Sequence, residues 1–285
     1  MSDPTEKMRA RARLALKSEQ AFGLDFMMRQ AGPLGPGVPE VTEEQPQPQS
    51  HPDLKVRLEK PASDLFGNRA GAASTPQLSI LKAPRFSTAE KISYLKVLND
   101  AEVSVCRKCR LCQTRTNTVF GEGDPDAKIF FIGEGPGENE DLQGRPFVGR
   151  AGELLNKWIA AMGLKREAVY IANIVKCRPP GNREPAPDEV STCTPYLEKQ
   201  LEMIRPQVII TLGKPAAQHM LQSKLAMGKM RGQWHDWRGI KLMPTYHPAY
   251  VLRNYTYETR AAVWSDLQQV MAEVGLPIPK RTGEK

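Results

Sequence analysis

What the 285-residue sequence lacks narrows its reading first. No stretch approaches the ~20 consecutive apolar residues of a membrane helix. The N-terminal MSDPTEKMRARARLALK holds no apolar core of signal-peptide length. The expectation is a cytoplasmic protein in a reducing compartment, where disulfides are rare. Acid is in deficit: 32 Asp+Glu stand against 40 Lys+Arg, giving a formal charge of +8 and a pI near 9.2. That balance favours polyanionic partners such as nucleic acid. The sequence has no G-x-x-x-x-G-K-[ST] run, and its glycine loop Gly133-Glu-Gly-Pro-Gly137 contains Pro136, which has no N–H to offer a phosphate. A nucleotide P-loop is therefore disfavoured.

Two compositional regimes divide the chain. Residues 1–85 are rich in Pro, Gly, Gln and Ser, as in GPLGPGVPE and EEQPQPQSHP. Such composition buries too little apolar surface to offset chain entropy, so a low-complexity, largely disordered extension is expected. Within it Leu14, Leu16, Phe22, Leu24 and Phe26 allow a short helix over 9–28. A folded domain is expected over 86–276, with a flexible tail at 277–285. Ser87-x-x-Glu90 reads as a capping box opening a helix through about Val105.

Beyond that helix, apolar strands alternate with helices. Lys128–Gly133, Ala168–Val175, Gln207–Leu212 and Ile240–Tyr246 read as strands; Ala151–Met162, Asp188–Ile204, Lys214–Leu221 and Tyr257–Val274 read as helices. Strands apolar at nearly every position imply a parallel sheet covered on both faces. The expected fold is α/β, a three-layer αβα sandwich with a central four-stranded parallel sheet. Ligands of such sheets bind beyond the carboxyl ends of the strands. Those ends carry Gly133–Gly137 with Glu134, Glu140 and Asp141 nearby, then Asn173, then Gly213-Lys214, then Tyr246-His247-Pro248.

Five cysteines remain to be explained. Cys106, Cys109 and Cys112 form a C-x2-C-x2-C cluster, with Cys177 and Cys193 far downstream. Thiolates gathered from distant segments suit a tetrahedral zinc or an iron–sulfur cluster, and spacing alone does not choose the metal or the ligands.

The runs VFGEGDPDAKIFFIGEGPGENEDLQGRPFVGRAGELL, NIVKCRPPGNREPAPDE with Cys193, and TYHPAYVLR together resemble the iron–sulfur uracil-DNA glycosylases, family 4 of that superfamily. The resemblance spans about residues 104–272. It implies one 4Fe–4S cluster on Cys106, Cys109, Cys177 and Cys193, with Cys112 spare. It implies flipping of uracil out of single- or double-stranded DNA and hydrolysis of its N-glycosidic bond, the first step of base excision repair. By the same resemblance His247 stabilises the leaving base, Asn173 reads its edge, Phe147 stacks on it, and Gly135 lines its site. Glu134 and Glu140 are pocket acids, one of them positioning water. Gly135 stands where the wider superfamily places an aspartate, so a dedicated carboxylate is missing there. Val251 and Leu252 are candidate wedges for the gap left by the base. Arg253 and Arg183, with Lys176 and Arg178, are candidate phosphate contacts. A monomer is expected. The alternatives are a relative that binds uracil-DNA with little turnover, and a zinc-bearing accessory protein. A related group that traps DNA uses a histidine in an inserted basic loop, and the Gly181–Pro185 segment has no inserted histidine.

Overall fold

The structure, a computed structural model, describes residues 86–279; the expected helix at 9–28 lies outside them. Among the described residues no helix is long and apolar enough to cross a membrane.

Six strands form one sheet: β1 (Glu122–Gly123), β2 (Ile129–Gly133), β3 (Tyr170–Asn173), β4 (Val208–Leu212), β5 (His235–Trp237) and β6 (Ile240–Thr245), in the order β1-β3-β2-β4-β6-β5. The four expected strands are its centre, all parallel. The sheet is nonetheless mixed, because β1 and β5 add antiparallel edges on β3 and β6. Neither edge carries an apolar run, so neither was legible in the pattern.

The helices are α1 (Thr88–Val97), α2 (Glu138–Gln143), α3 (Arg150–Ala161), α4 (Pro187–Ile204), α5 (Lys214–Leu221), α6 (Met227–Met230), α7 (Pro248–Arg253) and α8 (Tyr257–Val274). Ser87 caps α1 as its sequence suggests: Glu90 N–H donates to Ser87 Oγ, and Glu90 Oε2 accepts from Ser87 N–H at 2.7 Å. The α-helix then loosens into a π-turn over Leu98–Val103.

Side chains of the buried strands alternate between two cores. Phe130 and Ile132 face Leu95 of α1, Leu197 and Leu201 of α4, and Met220 of α5. Ile129 and Phe131 face Leu155 and Trp158 of α3 and Leu267 and Val270 of α8. Each such side chain contributes about 1.5–3 kcal/mol on burial. Sheet and flanking helices make the three layers.

Strand order positions the site. From β2 the chain moves to β3 on one side, then returns across β2 to β4 on the other. The loops leaving β2 and β4 diverge, which opens a crevice at their carboxyl ends.

Candidate active site

A cavity of about 800 Å³ opens at this crevice. Its wall takes Glu134 and Gly135 after β2, Asn173 from the end of β3, Gly213 and Lys214 after β4, and Tyr246 and His247 after β6. Phe147 enters from the loop between α2 and α3. Most residues singled out at separate strand ends thus share one concavity; Asp141 does not, being buried and accepting from the backbone N–H groups of Thr116 and Asn117.

His247 caps α7, and its Nδ1 accepts the backbone N–H of Ala249 at 3.0 Å. An accepting Nδ1 carries a lone pair, so the neutral ring carries its proton on Nε2. Burial, aided by Arg253, holds the imidazole pKa down at about 4, against a weaker pull from Glu140. The ring is therefore a neutral donor at physiological pH. Gly213 sets how close it stands: at φ +91°, a Cβ on Gly213 would lie 2.9 Å from His247 Cβ.

Asn173 is 1% exposed, and its Oδ1 accepts no hydrogen bond among the described residues. A buried acceptor of this kind is costly unless a ligand satisfies it. Gly133 makes the room: a Cβ there would lie 2.3 Å from Asn173 Oδ1 and 2.6 Å from Phe147 Cζ. Phe147 itself has φ +52°, a conformation costly for an aromatic residue, and its ring centroid lies 5.7 Å from that of His247. Gly152 permits that bend, since a Cβ there would meet Phe147 O at 1.8 Å.

The two acids differ in employment. Glu140 accepts three backbone N–H groups, from Val148 and Gly149 on Oε1 at 2.9 Å each and from Gly137 on Oε2 at 3.1 Å. Its carboxylate ties the GEGPG loop to the Phe147 loop. Glu134 has a pKa raised to about 7, by burial first and by repulsion from Glu184 second.

On the other side of Asn173, all five cysteines wall a second, small cavity. Among the described residues no group of three such donors is arranged to hold a single ion. Three sulfurs accept protein hydrogen bonds: Cys177 from Arg115 at 3.0 Å, Cys193 from Lys176 N–H at 3.2 Å, and Cys106 from Tyr196 O–H at 3.4 Å.

A profile of the Uracil DNA glycosylase superfamily matches residues 120–268. A type-4 uracil-DNA glycosylase of Thermotoga maritima is 48% identical over 169 residues, covering 59% of this chain and 88% of that protein. Type-4 enzymes of Saccharolobus solfataricus and Archaeoglobus fulgidus are 51% and 45% identical over 162 and 177 residues, covering 54% and 59% of this chain and 75% and 88% of theirs. The chain belongs to the type-4 uracil-DNA glycosylases.

Two sequence expectations about this glycosylase need correction. Val251 is 0% exposed, packed in the core with residues of α3 and α8, because the turn of α7 rotates it inward; it is not a surface wedge. Leu252 is half-buried and Arg253 is exposed at the cavity rim. Lys176 is 1% exposed and cannot reach a phosphate; its ammonium donates to Asn173 O at 2.9 Å and Gln200 Oε1 at 2.7 Å. Arg183 is exposed and lines the cavity, with its guanidinium paired bidentately with buried Glu189 at 2.6 and 2.8 Å. Sequence reasoning missed Gly133, Gly152 and Gly213 as the glycosylase's spacers. A glycine's neighbours in sequence do not tell which side chain will approach it.

Proposed function

We propose that the protein excises uracil from DNA by accepting the flipped base in the crevice cavity and hydrolysing its N-glycosidic bond, leaving an abasic site. The observation that carries this reading is one cavity holding both the unsatisfied Oδ1 of Asn173 and a neutral His247 with its proton on Nε2.

Asn173 Oδ1 accepts from uracil N3–H while its amide donates to O4. Cytosine presents the opposite pair, so it leaves buried polar groups unpaired. Phe147 stacks on the ring, and Gly135 lines the wall beside it. As the bond from C1′ to N1 breaks, its electron pair passes to the base and charge gathers on O2. His247 Nε2–H donates to that oxygen; a donor fixed in place costs no reorganisation. A water oxygen adds to the sugar C1′, and Glu134, with a pKa near the working pH, takes its proton. Glu140 braces the loops that carry Phe147. Leu252 and Arg253 meet the DNA strand at the rim.

Cys106, Cys109, Cys177 and Cys193 would hold one 4Fe–4S cluster, with Cys112 spare. Five thiols lining one cavity, with no three donors grouped to hold a single ion among the described residues, support a cluster over a lone zinc. N-glycosidic hydrolysis moves no electron, so the cluster supplies a tie between the 106–109 segment and the chain just past Asn173. The protein acts as a monomer in the cytoplasm.

The test is excision from end-labelled oligonucleotides, single-stranded and duplex, followed by alkaline cleavage at abasic sites. Strand cleavage is expected at uracil and absent at thymine and cytosine. Uracil left intact in both substrates sinks the proposal.

A further inference from the structure

Beyond the base pocket, three tyrosines on the chain segment that leaves it are exposed. Tyr250, Tyr255 and Tyr257 are 39%, 53% and 42% exposed, and all lie on the short α7–α8 stretch. Three exposed aromatic rings within eight consecutive residues, beside a cavity, offer an interaction surface. The group is continuous with the site, because Tyr250 and Arg253 both line the cavity. It is also built. The Tyr250 ring stacks on Tyr246 with centroids 4.9 Å apart and planes 28° apart, and Arg231 lies over Tyr246 at 5.3 Å. Asp266 anchors Arg231 through its Nε at 3.1 Å and also accepts from Thr245 Oγ1 at 2.7 Å. Arg260 lies over the Tyr255 ring at 4.3 Å, which fixes that ring's orientation at the surface. From 250 to 260 the charges are Arg253 and Arg260 against Glu258 alone.

We propose that Tyr250, Tyr255 and Tyr257 form a stacking platform for unpaired bases flanking the target, which makes single-stranded DNA the favoured substrate. Paired bases are already stacked on their neighbours and offer no face to a tyrosine. Unpaired bases do, and aromatic stacking accepts any of them regardless of sequence. Leu252 and Arg253 serve either kind of DNA; the tyrosines serve only the open strand. The inference rests on the uracil-excision reading for its choice of polymer and deepens it by naming the strand state.

The experiment measures fluorescence anisotropy of a labelled uracil-free oligothymidylate of about 12 nucleotides, and of a duplex of equal length, across a salt series. Wild type is compared with Tyr255→Ala, Tyr257→Ala, the double variant, Tyr257→Phe and Arg253→Ala, each checked for an unchanged melting profile. Each tyrosine-to-alanine change is expected to weaken single-strand binding about tenfold, to leave the duplex affinity in place, and to keep the salt slope. Tyr257→Phe retains affinity, because the ring rather than the hydroxyl stacks. Arg253→Ala instead flattens the log–log salt slope by about 0.7, the signature of one lost phosphate contact on a single strand. Unchanged single-strand affinity in the double variant overturns the platform, as does equal loss on duplex or equal loss in Tyr257→Phe. If wild type binds the single strand in this manner yet leaves uracil intact, the excision reading fails and the platform stands. If it excises uracil while the double variant binds single strands normally, the platform alone fails.

Discussion

At the scale of single residues, the pocket separates two titrating groups by environment. His247, half-buried and accepting from Ala249 N–H, is neutral above about pH 4. Glu134, half-buried near Glu184, ionises only through about pH 7. A base must be ionised to act, so excision should rise with pH through about 7, and no limb from His247 should appear between pH 5 and 8. Single-turnover rates from pH 5 to 9 check this. Glu134→Gln should remove the limb and lower the plateau; a limb that persists in this variant reassigns it. His247→Ala removes the proposed oxyanion donor and should lower the chemical rate by about 10²–10³. Its stability cost should be that of a lost helix cap, about 1 kcal/mol, read by thermal melting.

At the scale of elements, the loops matter more than the strands they follow. Gly213 joins β4 to α5 at φ +91° and admits His247 at contact distance. Gly213→Ala adds both backbone strain, about 1–3 kcal/mol, and a clash with His247. The expected result is a melting temperature lowered by several degrees and an excision rate lowered at least tenfold. Glu140 joins two loops through three backbone N–H groups. Glu140→Ala leaves those donors without their acceptor and should destabilise by about 1–3 kcal/mol. KM should rise as the Phe147 loop loosens, whereas Glu140→Gln keeps one acceptor oxygen and should lose less. Denaturant melts paired with steady-state kinetics separate these outcomes. The helix α7 shows how an element sorts its own residues: Tyr250, Leu252 and Arg253 face outward while Val251 turns into the core. The HPAYVLR run names the segment, but one residue of helical rotation decides which side chain meets DNA.

At the scale of the whole molecule, Lys176 connects the two cavities. Its backbone N–H donates to Cys193 Sγ, while its ammonium holds Asn173 O and Gln200 Oε1. Lys176→Met should leave iron content near four per chain, lower uracil excision, and narrow the preference for uracil over cytosine, since the Asn173 backbone loses its anchor. Iron analysis with excision on both bases checks this. If the proposed cluster ties these segments, oxidative removal of the iron should lower melting temperature and excision together, in proportion to iron lost. The sequence by itself determined much here. Continuous apolar runs marked the four central strands as parallel and doubly covered, and the polar residues at their ends marked the rim. The Ser87 capping box and the bounds of α5 and α8 were equally local, hence legible. The edge strands β1 and β5 were not, because three residues or fewer with little apolar character acquire strand geometry only from the neighbour they pair with. Only the tertiary structure decided that β4 lies across β2 from β3, which opens the crevice. It alone turned Val251 and Lys176 inward, paired Arg183 with Glu189, and left Asn173 Oδ1 without a partner among the described residues. Local periodicity dictates which residues end a strand. Which atoms then face each other depends on crossovers between segments far apart in the chain, and no short window of sequence carries that information.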